Sequence, residues 1–370
     1  FDHHKVFVDG LNLATSIAHG DGGIWVTNPP YLLFYKDEDG DDVPDGAPEV
    51  HLSGFGIEDT HSIANSLVLA PDGWLYGAQG STVSASIIRP GKDSAEEAVK
   101  SMGQNIWRYH PERRTYEIYA EGGGNAFGVE VDSCGRVYSG HNGGDTRGFH
   151  YMHGAYYRKS WGKHGALTNA HAYGFFPAMK NIAVERFTHQ FIIYEEEGLP
   201  KRYQGKLWGV DVLHNNVVLS DIFPNGSTFQ TRDIQRVVQA DNSWFRPVMI
   251  APGPDGSLFI ADWHDRQVNH YKNHEGDIDH DKGRIYRVQS RGKSPSLPVD
   301  FSVLEISELI SATASNARWT RRTALNELRQ RIKQNRAILD LVSKEVAGRV
   351  AEGWKLRNAV DVEMAVMSGL

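Results

Sequence analysis

A Gly or Asp-Gly turn followed by a short alternating run of aromatic and β-branched residues recurs five times in the first three hundred of the 370 residues. This recurrence predicts an all-β fold, a β-propeller. The runs read GGIWVTN from Gly22, PDGWLYGAQ from Pro71, SCGRVYSGH from Ser133, QGKLWGVDV from Gln204 and PDGSLFIAD from Pro254. Glycine supplies the positive φ of a tight turn, and a period-2 run fits a half-buried strand. Spacings of about 50 to 70 residues suit a four-stranded blade with decorated loops. Further strands fit each unit: YLLFYKD and EVHLSGF in the first, NIWRYHP and TYEIYAEG in the second, GRIYRVQS closing the last. Five blades are visible, and VFVDGL at the start reads as the last strand of an earlier one, which makes six in the intact protein. The competing architecture is a β-sandwich with coincidental turns.

A second observation concerns the tail. Beyond Pro298 there is no proline, tyrosine has vanished, and only three of the 38 glycines remain. The apolar residues Leu304, Ile306, Leu309 and Ile310, then Trp319, Leu325, Leu328 and Ile332, then Ile338, Leu341, Val342 and Val346, then Leu356, Val360 and Met364 follow a helical period. Asn316 and Asn335 stand where N-caps are expected. The predicted organisation is a propeller over residues 1–290, a linker over 291–302, and α-helical HEAT-like repeats over 303–370 that continue past the last residue.

Composition excludes several classes. Charged residues are 23% and aromatics 11%, too aromatic for a disordered chain. Residues 301–370 carry 11 Lys and Arg against 8 Asp and Glu, whereas residues 1–300 carry 28 against 38. An acidic body argues against a nucleic-acid partner. Cys134 is the one cysteine, which excludes an internal disulfide, a cysteine zinc cluster and covalent CxxCH haem. No window has the apolar length of a membrane span. GxGxxG, GxSxG and P-loop signatures are absent, which sets aside nicotinamide, α/β-hydrolase and NTPase chemistry.

The sharpest local motif is DEDGDDVPD over residues 37–45. Asp37, Asp39, Asp41 and Asp45 fall at positions 1, 3, 5 and 9 of a calcium loop, with Gly40 for the turn; Pro48 stands where the closing Glu belongs. The alternative is a solvated acidic turn. Asp277, Asp279 and Asp281 alternate similarly but run into Lys282 and Arg284, which reads as a salt-bridged loop. His61, beside Glu58 and Asp59 and just ahead of an inner strand, is a candidate general base. Arg246, preceding a proline at another inner strand, is a candidate anion clamp or one half of an ion pair. Asn125 occupies a third such segment, and Trp244 shares that of Arg246. His214 with Asp211, and the cluster Asp262, Trp263, His264 and Arg266, add polar and aromatic groups suited to a sugar or a planar cofactor, or to ordinary packing. Residues 147–165, basic and rich in His, read as a loop capping one face rather than as a nucleic-acid patch or haem pocket.

The runs DGLNLATSI, DEDGDDVPDG, GFGIEDTH, NSLVLAPDGWLYGAQG, GGGNAFGVEVD, FRPVMIAPGPDGSLFIADWHDRQ and DKGRIYRV together resemble the PVC-type haem-binding, putative membrane-bound dehydrogenase family. Its propeller is similar to soluble quinoprotein glucose and sorbosone dehydrogenases. The resemblance covers about residues 3–290 and implies a sugar or polyol dehydrogenase. It further implies pyrroloquinoline quinone and calcium as cofactors, a c-type cytochrome as electron acceptor, and a periplasmic or secreted location. It implies His61 as the catalytic base, Arg246, Asn125 and His214 at the cofactor, and Trp244, Asp262, Trp263 and His264 at the substrate. Two departures stand out: Gly124 replaces an arginine of the family's Arg-Asn-Pro, and His214 replaces a lysine. A non-catalytic propeller binding a glycan or a partner protein is the rival reading. A calcium-dependent lactonase-like hydrolase is a third.

Overall fold

The computed structural model describes residues 5–159, 174–181, 184–185, 189–266, 282–292 and 299–351. The Asp277–Asp281 stretch, most of the 147–165 loop's second half, and the helical periodicity beyond residue 351 lie outside them.

The described strands form five sheets. The first runs β1 (Ser16–His19), β2 (Gly23–Asn28), β3 (Tyr31–Lys36), β4 (Glu49–Phe55), β7 (Ala85–Ile88), β8 (Val99–Ser101). The second runs β5 (Ala64–Leu69), β6 (Leu75–Gln79), β9 (Asn105–His110), β10 (Thr115–Glu121), β14 (Tyr156–Tyr157), β15 (Phe175–Phe176). The third holds β11 (Ala126–Val131), β12 (Val137–His141) and β13 (Phe149–Tyr151). The fourth holds β16 (Phe191–Ile193), β17 (Leu207–Asp211), β18 (Asn216–Asn225) and β19 (Thr228–Gln239), and the fifth β20 (Pro247–Pro252), β21 (Leu258–Asp262) and β22 (Arg284–Val288). The five recurrent runs become β2, β6, β12, β17 and β21, each antiparallel to the strand before it.

The predicted propeller is not what forms. The sheets hold six, six, three, four and three strands, stand separately, and are not closed into a ring. The uniform four-stranded unit fails because strands leave the repeat in which the sequence places them. β7 and β8 follow β6 in the chain, yet β7 pairs with β4 of the first sheet. Glycine permits this: a Cβ on Gly54 would sit 1.9 Å from the Ser86 carbonyl oxygen, so only a bare backbone lets β7 approach. β14 adds to the second sheet as a parallel partner of β10, and β15 adds in turn as a parallel partner of β14.

The tail is not a HEAT array either. Its described part is three helices, α1 (Ile306–Ala312), α2 (Arg318–Gln334) and α3 (Ile338–Ala351). α2 is capped at Ala317, one residue past Asn316, and Asn335 ends α2. Instead of stacking on further helix pairs, α2 binds the sheets.

Apolar side chains fill the gaps between successive sheets. Trp25, Phe34 and Leu52 meet Leu67, Trp107 and Tyr109, and Trp208, Val210 and Val217 meet Phe245, Ile250 and Ile260. The starts of the first strands are tied side by side. Thr15 Oγ1 donates to Ala64 O at 2.6 Å, Asn65 Nδ2 to Ala126 O at 3.3 Å, and Ile250 N to Gln190 Oε1 at 3.1 Å. One end of the molecule therefore gathers the residues that lead into β5, β11, β16 and β20 and those that follow β17 and β21.

The opposite end receives α2. The Arg318 guanidinium pairs with the buried Glu130 carboxylate, reaches Glu195 Oε2 at 3.3 Å, and donates to Val131 O at 3.2 Å. Trp319 N donates to Glu196 Oε1 at 3.0 Å. Burial pushes Glu196 up to about 7 from an ordinary 4.5, against the pull of Arg318. The folded state then holds a proton that the unfolded chain has released, so this group's contribution to stability falls as pH rises from about 4.5 to 7 and stays low above. Glu196→Gln is expected to flatten that fall by on the order of 2–3 kcal/mol. Urea denaturation of both proteins at pH 5, 6 and 7.5 checks it; parallel curves would refute it.

Candidate functional site

Arg246 lies just ahead of β20 and is buried. Its guanidinium donates to main-chain oxygens: Nε to Asp265 O at 2.8 Å, Nη1 to Val212 O at 2.9 Å and Leu213 O at 3.2 Å, and Nη2 to Arg266 O at 2.6 Å. It thus joins the β17–β18 turn to the segment after β21, and its donors point at carbonyls, not at an open anion site.

Asp262 ends β21 and is buried. Its Oδ1 accepts from Arg246 N at 2.7 Å and His264 N at 2.8 Å, and Oδ2 lies 3.3 Å from His264 Nδ1. His264 takes a left-handed φ of 53°, which turns its ring back over the strand end. Trp244 stacks on that ring with centroids 5.7 Å apart, and Arg284 Nη1 contacts His264 Nδ1. Asn242, Trp244, His264, Lys282 and Arg284 line a cleft of about 380 Å³. Trp263 turns to solvent, 61% exposed.

The other candidates lie at the same end. His61 is about half exposed, with Nδ1 3.4 Å from Asp59 Oδ1. Asp59 also receives His61 N at 3.0 Å, Ser62 Oγ at 3.4 Å and Thr82 Oγ1, while Glu58 is turned to Ser84 N. Of the two neighbouring carboxylates, His61 is thus paired with Asp59. Asn125 is buried and its Oδ1 accepts from Ser81 N at 2.7 Å. His214 Nδ1 lies 2.9 Å from Asp211 Oδ2. Trp244, Arg246, Asp262 and His264 are brought together, with Trp263 beside them; His61, Asn125 and His214 sit at other strand ends.

In the acidic loop, oxygens of Asp37, Asp39 and Asp41 converge. Asp45 is exposed and is not among them; its Oδ2 accepts from Glu38 N at 2.9 Å.

Sequence reasoning missed four residues. Lys282 and Arg284 were assigned to the acidic stretch before them, yet Arg284 stands directly opposite Asp262 in the β21–β22 ladder. Writing out that pairing would have put its cation beside His264. Asn242 carries no such signal. His141, at the end of β12, is buried with no hydrogen bond to either ring nitrogen among the described residues, and burial lowers it to about 4, so it is neutral at neutral pH.

A family model described as a domain of unknown function, DUF7133, matches residues 1–292. The chain belongs to the DUF7133 family. That match stands in place of the PVC-type family that the motifs resemble. Among solved structures, the DUF7133 chain is similar to the PQQ-bound aldose sugar dehydrogenase of Streptomyces coelicolor, at 16% identity and a TM-score of 0.47, over 75% of this chain and 82% of that one. It is also similar to the soluble aldose sugar dehydrogenase of Escherichia coli, at 13% and 0.40, over 71% and 96%. A luciferin-regenerating enzyme matches at 14% and 0.42, over 75% and 77%. No activity is carried to the DUF7133 chain from likenesses at this level. No curated protein matches it.

Proposed function

We propose that the protein is a carbohydrate- or polyol-directed oxidoreductase whose planar, carboxylate-bearing quinone sits in the cleft of Trp244, His264, Lys282 and Arg284. The observation that carries this is the cleft's pairing of an aromatic face with two cations. Such a site suits a fused-ring polyanion. Arg246, Asn125 and His214 do not fit the role of holders, because their polar atoms are directed at main-chain groups or at Asp211. When bound, the quinone supplies a two-electron acceptor. The chain's own part is to orient and to move a proton. One His–Asp pair is placed for that at this end, His61 with Asp59; at His264, Nδ1 lies between Asp262 and the Arg284 guanidinium, which can only donate. The metal side of the reading rests on Asp37, Asp39 and Asp41 and has no part in the cleft.

The test is titration of the purified chain with pyrroloquinoline quinone and calcium, followed by absorbance and melting temperature. Saturable binding with a raised melting temperature is expected. Trp244→Ala should weaken it at least about tenfold with little change in the unliganded melting temperature. Dye reduction by sugars then reads the activity. No saturable binding by folded protein would overturn the quinone site. It would leave glycan binding without redox chemistry, a reading favoured by the exposed ring of Trp263 beside Asp262.

A further inference from the structure

We propose that Glu185, Asp211 and His214 form a binding site for one divalent transition-metal ion of the zinc type. This inference does not depend on what the cleft binds. Asp211 and His214 come from the end of β17 and the turn after it; Glu185 comes from the segment ahead of β16. One donor atom from each lies within 4.8 Å of the others. His214 Nδ1 is 2.9 Å from Asp211 Oδ2 and 3.8 Å from Glu185 Oε2. With metal–ligand bonds of about 2.0–2.1 Å, the edge of a tetrahedral zinc site is about 3.3 Å. The two measured edges bracket that value, so a zinc ion fits with shifts of tenths of an ångström.

The chemistry of the donor set points the same way. Calcium and magnesium take all-oxygen shells, and an imidazole beside two carboxylates suits zinc or manganese. Three protein ligands leave one position for water or a ligand. A separate observation calls for a cation here. The Asp211 carboxylate is 1% exposed, and among the described residues its hydrogen bonds come only from the main chain and ring of His214. A buried carboxylate needs a positive partner close by; the Arg147 guanidinium acts on Asp211 through charge but is itself paired with Asp233. Arg236 holds Glu185 at 2.8 Å, but that pair is exposed on both sides and weakly held. His214 and Glu185 both reach solvent, so the site has an entry path.

Metal-stripped protein would be titrated with zinc chloride by calorimetry, and with cobalt(II) for its visible absorbance. The chain has 17 histidines, so the difference between variants is what counts. The wild type should bind one more ion tightly than Glu185→Gln or His214→Ala, each of which should weaken that event at least about tenfold and abolish the low-symmetry cobalt band. Glu185 is exposed, so Glu185→Gln keeps the fold should His214→Ala not. Asp39→Asn, in the acidic loop, should leave the event untouched. Absence of tight binding in the wild type, or binding that survives both substitutions or Glu185→Gln alone, overturns the site.

Discussion

Arg318→Ala is expected to remove about 3–5 kcal/mol of stability, the range for breaking a buried ion pair from one side. Arg318 is 4% exposed and faces the carboxylates of Glu130 and Glu195. Burial pushes Glu130 up, and Arg318 is the main charge holding it down. Without the guanidinium, Glu130 would remain with Ile193 N, at 3.0 Å, as its donor. It must then take a proton or draw in water. The second variant decides the cause: adding Glu130→Gln should recover part of the loss, because the stranded charge is gone. Urea denaturation of the wild type, the single and the double variant gives the coupling. A loss below about 1 kcal/mol for Arg318→Ala would place α2 among loosely held surface elements.

Arg246→Ala is expected to cost a similar amount for a different reason. It strands main-chain oxygens of Val212, Leu213, Asp265 and Arg266, and each unmatched buried acceptor costs about 1–3 kcal/mol. Two of these bonds are only partly buried and water can replace them, so the expected total is on the order of 3–5 kcal/mol. Arg246→Lys should recover little, since one ammonium cannot reach carbonyls spread around a planar fork. The measurement is the midpoint of urea unfolding beside quinone affinity. Full stability with lost affinity would make Arg246 an anion clamp; lost stability makes it the brace between the β17–β18 turn and the segment after β21.

The strands were legible because their signal is local. Asp-Gly turns and alternating runs placed β2, β6, β12, β17 and β21, and helical periodicity placed α2. What failed was non-local. Nothing near residue 85 says that β7 will pair with β4; the permission lies thirty residues away in Gly54. The assumption of uniform blades and of a HEAT array came from counting repeats, and repeats do not fix strand exchange. At the site, Trp244, Asp262 and His264 were legible as a polar aromatic cluster. The partners of Arg246 were not legible, because an arginine before a proline looks the same in sequence whether it faces an anion or four carbonyls. The dock of Arg318 on Glu130 joins residues 188 apart and left no local trace.

That separation bears on the order in which the chain can assemble. Lys333 of α2 also holds Asp21 and Glu112, so one helix ties the turns of the first four sheets. During synthesis β1 to β21 leave the ribosome before residue 318 does, and Glu130, Glu195 and Glu196 must stay hydrated until then. The last contacts to close are therefore among the longest in the chain, the kind that slow folding most. The helix is a latch set after the sheets, and until it is set the nascent protein carries a wet, acidic end.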